Sequence, residues 1–156
     1  MDKYKNSITH KKFTYPSLSS VILFLMQPKF THVALLVSDV DKTADFYIKY
    51  CGLKVVERRL DPKTGFRVVW LGQNLNFVIV AFESEKKPIQ SVVKPLSHLG
   101  FSLSSKEEVN QISEIAKEEN LLNYGPAYID EVVGYICEIL DPDGNSVEFS
   151  FGQKLG

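Results

Sequence analysis

Cysteine is scarce. Cys51 and Cys137 are the only two, and neither sits in a CxxC pair. Two cysteines could form one bridge, but nothing in the sequence asks for it. Two lone thiols read as buried and reduced, which places the expectation in the cytoplasm. Long apolar runs are also missing. No stretch approaches the roughly 20 residues that span a bilayer. Lys11 and Lys12 precede Val21–Met26, but that run is shorter than a secretory h-region and lacks an A-x-A site. Residues 1–28 therefore read as a dispensable extension, with Met26 a possible alternative start. Charge of one sign is lacking too: 18 Lys+Arg against 19 Asp+Glu leave a net charge of -1. No basic stripe runs along the folded part, so neither nucleic acid nor a membrane is an expected partner.

What is present is ordinary globular material: 156 residues, 44% hydrophobic and 24% charged. That length builds a core without metal or disulfide. Any metal is then expected to serve chemistry rather than folding.

The informative feature is an internal repeat. Phe30-Thr31-His32-Val33-Ala34-Leu35-Leu36-Val37-Ser38 is echoed by Leu96-Ser97-His98-Leu99-Gly100-Phe101-Ser102-Leu103-Ser104, 66 residues later. Each segment reads as a strand. A helix follows each one. The first starts near Ser38 or Asp39 and is stopped by Cys51-Gly52; the second starts at Ser104-Ser105 with Glu107 and Glu108 in its first turn. Three strands then follow each helix: Lys54–Leu60, Phe66–Leu71 and Phe77–Phe82 in the first half, Asn123–Ile129, Gly134–Leu140 and Ser146–Phe151 in the second. Asp61–Gly65, Gly72-Gln73-Asn74 and Asp141-Pro142-Asp143-Gly144 supply turns. The expected fold is α+β, two βαβββ modules forming a curved mixed sheet around a metal-containing cavity. Module one covers 29–83 and module two 95–152 of a domain spanning 29–152, with 153–156 a tail.

Strand side chains alternate between faces. His32, Ala34 and Leu36 share one face, His98, Gly100 and Ser102 another, and Glu148 and Ser150 a third. Each face sets a metal-capable residue beside a small one, the pattern of a lined cavity. A single strand histidine is ordinarily structural. Two at the same repeat position can meet at a pseudo-twofold axis. Glu148 stands in an apolar strand, where a lone carboxylate is costly and a cation offsets the cost. His32, His98 and Glu148 are the candidate metal ligands. A His-His-Glu set with open positions is the arrangement of non-haem Fe(II) oxygenases, so Fe(II) or Mn is favoured, with Zn or Ni as alternatives. Tyr128, Tyr135 and Glu138 are the candidate acid–base residues. Glu83 reads as a surface residue. No basic cluster is identifiable as a glutathione or coenzyme A clamp, and Arg58, Arg59 and Arg67 are candidates only if they point inward.

His-Val-Ala-Leu-Leu-Val-Ser-Asp, His-Leu-Gly-Phe-Ser-Leu and Asp-Pro-Asp-Gly-Asn-Ser-Val-Glu-Phe, in that order, resemble the vicinal oxygen chelate superfamily over residues 29 to about 152. That group includes glyoxalase I, bleomycin- and fosfomycin-resistance proteins, methylmalonyl-CoA epimerase and extradiol dioxygenases. The resemblance implies metal ligands on strands one, five and eight, with a fourth often on strand four. Here the fourth-strand position, 68 residues before Glu148, is Val80. It also implies a homodimer acting on a small oxygenated substrate. Dioxygenase-like chemistry is the first expectation, a glyoxalase I-type lyase the second, and a metal-free drug-binding protein the third. The fosfomycin-transferase group carries Thr where Ala34 stands.

Overall fold

The computed structural model describes residues 31–74, 76–86 and 98–154. The expectations for residues 1–28 lie outside them. Each module is a β-strand, a helix and three strands. Module one comprises β1 (His32–Val37), α1 (Val40–Cys51), β2 (Lys54–Leu60), β3 (Arg67–Asn74) and β4 (Phe77–Glu83). Module two repeats the order with β5 (His98–Ser102), α2 (Lys106–Glu118), β6 (Leu122–Tyr128), β7 (Tyr135–Leu140) and β8 (Ser146–Phe151). The sheets run β1-β4-β3-β2 and β5-β8-β7-β6, and in each the first strand is parallel to the last while the others are antiparallel.

The local chemistry explains the helices. Asp39 caps α1, its Oδ1 accepting from the amides of Asp41 at 3.0 Å and Lys42 at 3.2 Å. Gly52, at φ 62°, ends it in the left-handed region. Ser105 Oγ accepts from the Glu108 amide at 3.2 Å, and Glu108 Oε2 accepts from the Ser104 amide at 2.8 Å, a variant of the capping box. Both helices press apolar faces onto their sheets. Val40, Ala44 and Tyr47 from α1 join Val109 and Ala116 from α2 in one buried cluster with Val37, Leu71, Ile79, Ile139, Val147 and Phe149.

That single cluster joins the modules, and polar bonds reinforce the seam. Asp143 accepts the Ser38 amide, and Asp141 accepts the Tyr47 hydroxyl at 3.2 Å. The turn chemistry of Asp141 is local as well: Oδ1 accepts from the amides of Asp143 at 3.0 Å and Asn145 at 2.8 Å. Glu119 accepts from both Lys49 and Tyr50.

Two sequence readings are corrected. Gly72-Gln73-Asn74 is not turn but strand, because β3 runs to Asn74 across a register shift. Gly72 belongs there for space: a Cβ would lie 2.9 Å from Asn74 O and 3.0 Å from Phe77 O. Glu83 is not a free surface residue. Its Oε2 accepts the Val40 amide at 3.0 Å, at the positive end of α1, and it pairs with Arg67 at 3.2 Å.

Candidate metal centre

With the helix-facing sides of both sheets filled, the opposite faces carry the remaining chemistry. On β5 the residues alternate strictly, His98, Gly100 and Ser102 exposed and Leu99 and Phe101 half-buried. Parallel pairing sets Gly100 beside Glu148 on β8. Antiparallel pairing sets Glu138 on β7 directly across from Glu148. Three elements thus bring His98, Glu138 and Glu148 together, with one ligand atom of each inside a 4.8 Å group. His98 Nε2 lies 3.8 Å from Glu148 Oε2. The absence of a side chain at Gly100 leaves open space between these groups; a Cβ there would touch nothing within 4 Å.

Both carboxylates are buried, Glu138 to 8% and Glu148 to 4% relative exposure. Like charges directly opposite on neighbouring strands repel. Among the described residues no Lys or Arg forms an ion pair with either. Neutral donors hold them in place. Glu138 Oε2 accepts from Asn123 Nδ2 at 3.2 Å and Ser146 Oγ at 3.0 Å, and Glu148 Oε1 from Gln153 Nε2 at 3.3 Å. Their field reaches the core side of the sheet. Burial, then the charges of Glu148 and Glu138, push the Cys137 thiol up to about 12. Two buried, hydrogen-bonded carboxylates beside an imidazole, with no Lys or Arg paired to them among the described residues, form a His/Glu/Glu cluster whose oxygen and nitrogen donors fit a divalent ion.

Of the residues singled out from sequence, the structure brings His98, Glu148 and Glu138 together. His32 lies in the other sheet, its Nδ1 3.0 Å from Thr31 Oγ1. It lines a cavity of about 470 Å³ with Thr31, Ala34, Trp70, Val78, Val80 and Phe82. Val68, Val78 and Val80 form a second small apolar cluster there, with Trp70 and Phe82 against it. Tyr128 and Tyr135 border a different cavity, of about 270 Å³, whose lining includes none of the three clustered residues. Tyr135 donates to Asn110 Oδ1 at 2.8 Å, and Tyr128 is 58% exposed. Glu138 was legible as a candidate acid or base, but its place beside Glu148 depends on the β7–β8 register.

The model of the Glyoxalase/Bleomycin resistance protein/Dioxygenase superfamily matches residues 29–149. An uncharacterized protein of Pseudomonas aeruginosa is 39% identical over 134 residues, 84% of this chain and 94% of that one. A probable trivalent organoarsenical cleaving enzyme of Bacillus subtilis is 27% identical over 127 residues, 79% of this chain and 80% of that one. Among solved structures, a mutant of a genomically encoded fosfomycin resistance protein from Listeria monocytogenes, complexed with Mn(II) and 1S,2S-dihydroxypropylphosphonic acid, superposes with a TM-score of 0.65 at 18% identity. That alignment covers 83% of this chain and 96% of the Listeria protein. The repeat, the paired βαβββ modules and the matched span agree: the chain belongs to the glyoxalase/bleomycin resistance/dioxygenase, or vicinal oxygen chelate, superfamily.

Proposed function

We propose that this protein is a divalent-metal enzyme catalysing proton transfer on a small molecule with two adjacent oxygens, of the glyoxalase type. The observation that carries the reading is the second carboxylate, Glu138, beside Glu148 and His98. The site is completed by a second copy of the chain. The faces bearing His32 and His98 both point away from the shared core, and His32, Ala34 and Leu36 are exposed on β1. A homodimer that covers them sets one copy's His32 cavity over the other copy's carboxylate pair, and shields both faces from water. His98 and Glu148, with the second copy's His32, are the ligands. The two buried, unpaired thiols fit a reducing compartment.

A divalent ion at this site supplies Lewis acidity, making a C–H beside a carbonyl easier to ionise. Glu138 is the base that takes that proton and returns it to the neighbouring carbon. Asn123 and Ser146 both donate to its Oε2, which fixes the carboxylate and leaves Oε1 for the substrate. Water exclusion by the partner's apolar cavity strengthens each of these interactions.

Oxygen chemistry is the second reading. His32, His98 and Glu148 alone leave three positions for a chelating substrate and dioxygen. Glu138 as a fourth ligand would leave too few, and Glu138 as a base serves proton transfer better. The test uses Mn(II)-loaded protein under strict anaerobiosis. The hemithioacetal of methylglyoxal and glutathione, or an α-hydroxy carbonyl compound in deuterated water, is expected to isomerise or exchange at the carbon beside the carbonyl. Glu138→Gln should lower that rate by about 10²–10⁴ while Mn(II) binding stays within a few-fold. Oxygen uptake with a catechol on Fe(II)-loaded protein, with no anaerobic exchange, would reverse the order of the two readings.

A further inference from the structure

Sequence leaves open which of Arg58, Arg59 and Arg67 points toward substrate. Strand register separates them. Arg58 pairs across β2–β3 with Val69, a core residue on the helix side, whereas Arg59 pairs with Val68, which belongs to the small cluster on the His32 face. Arg58 and Arg67 are both spent on Asp41, and Arg67 also on Glu83. Arg59 makes no ion pair among the described residues. Its guanidinium lies over the Trp70 ring instead, Cζ 5.5 Å from the centroid. Asp61 feels its charge, but its Oδ1 accepts from the Lys63 amide and from the amide and hydroxyl of Thr64.

Trp70 carries a second observation. Its Nε1–H is buried and has no acceptor among the described residues. The indole also walls the 470 Å³ cavity that holds His32. Arg59 therefore stands over the face of the indole that walls the chamber, and the same indole carries an unanswered N–H. Both want the same thing, an oxygen acceptor with negative charge, and the chamber wants an apolar body.

We infer that Arg59 and Trp70 form an anion-recognising subsite, so that the preferred ligand is an amphipathic acid with its apolar part against Val78, Val80 and Phe82 and its carboxylate or phosphate on Arg59. The inference rests on the reading that the His32 cavity faces the metal cluster of a second copy, and it specifies the far end of that substrate. Arg59 is here a specificity-determining residue, distinct from the groups at the reacting carbon.

Trp70 is the chain's only tryptophan, so its fluorescence reports this subsite directly. The full chain, stripped of metal with a chelator, is titrated with 3-phenylpropionate, 2-phenylethyl phosphate and the neutral 3-phenylpropionamide. Wild-type protein should bind the anions about tenfold more tightly than the amide, as expected of a charge-assisted hydrogen bond. The better of the two anions identifies whether carboxylate or phosphate is the recognised group. Arg59→Gln should abolish the preference by weakening anion binding far more than amide binding, and Arg59→Lys should restore part of it. Equal binding of all three probes by wild type, survival of the preference in R59Q, or no saturable response to any probe would overturn the inference. Because no metal is present, its failure is separable from that of the metal reading, which Mn(II) titration of wild type and E148A tests by itself.

Discussion

On β4 and β3 of the first module, the cross-strand pair facing away from the helix is Val80 and Trp70. On β8 and β7 of the second, the corresponding pair is Glu148 and Glu138. The correspondence is fixed by the parallel strands: Ala34 is set beside Val80 as Gly100 is set beside Glu148. Both modules keep a histidine two residues before that small residue, His32 and His98. The same backbone thus carries an apolar chamber with one imidazole in one half and a paired-carboxylate site with one imidazole in the other. The two halves share what the core demands and differ on the outward face, which is not constrained by packing under the helices. A substrate handled by both halves would be gripped by its body in one and by its oxygens in the other.

The largest expected effect comes from erasing the polar half. His98→Ala or Glu148→Ala should weaken Mn(II) binding by at least about 100-fold, since losing even an outer-shell partner of a ligand costs 10–100-fold. Val80→Ala, at the matching position of the apolar half, should leave Mn(II) affinity unchanged. Calorimetric titration of the three variants checks this. The dimer can be broken in the same way. His32→Ala chains mixed with Glu148→Ala chains should recover about a quarter of wild-type tight sites, because half the dimers are mixed and each carries one intact site. No recovery on mixing, with each variant defective alone, would show that His32 does not reach the partner's cluster.

A smaller effect follows from making the apolar half imitate the polar one. Val80 is 5% exposed and surrounded by Val68, Val78, Trp70 and Phe82. Val80→Glu should destabilise the fold by about 3 kcal/mol, the upper range for burying a polar group without partners. The donors on the chamber's lining are Thr31, His32 and the Trp70 indole, and none of them is set to hold a carboxylate as Asn123, Ser146 and Gln153 hold the native pair. Urea unfolding at pH 7 and at pH 4 measures it, and the cost should shrink at the lower pH, where the introduced carboxyl is neutral. A cost below 0.5 kcal/mol would mean that the His32 chamber is wetter than its lining implies.

Much of this division was legible in the residues. The repeat located His32 and His98, and an apolar strand marked Glu148 as out of place. The succession of strands and helices along the chain followed from periodicity, and the helix ends from Asp39, Ser105 and Gly52; the order of strands within each sheet did not. What sequence could not supply was register. Glu138 and Glu148 become neighbours only through the pairing of β7 with β8, and Arg59 separates from Arg58 only when β2 is set against β3. A register shift between Val55 and Glu57 breaks any count along β2 made from the strand's start. Glu83 was misread for a related reason: its partner, the Val40 amide, is 43 residues away. The symmetry of the repeat placed both histidines in one site, whereas within one chain they stand on the outward faces of different sheets.

The smallest expected effect lies at the seam that holds the halves in register. Tyr47 donates from module one to Asp141 of module two, and Asp141 is largely buried. Burial raises the Asp141 carboxyl above its ordinary 3.8, opposed by hydrogen bonds from Asn145, Asp143 and Tyr47 that favour the charged form. A raised folded-state value means that folding is favoured when the group is protonated, so the contribution is full below about 3.8 and is lost as pH rises through the folded value. Tyr47→Phe removes one of the bonds that restrain the shift. The folded-state value must then rise further, and the loss on going from acid to neutral pH must grow. The variant should therefore cost about 1 kcal/mol at pH 7, the usual worth of one such bond, and distinctly less at pH 3, where Asp141 is protonated in both states and the charge-dependent part disappears. Thermal unfolding of wild type and Y47F at the two pH values gives the difference directly. An equal cost at both would mean that the hydroxyl bond is indifferent to the charge of Asp141 and that this charge does not couple the modules.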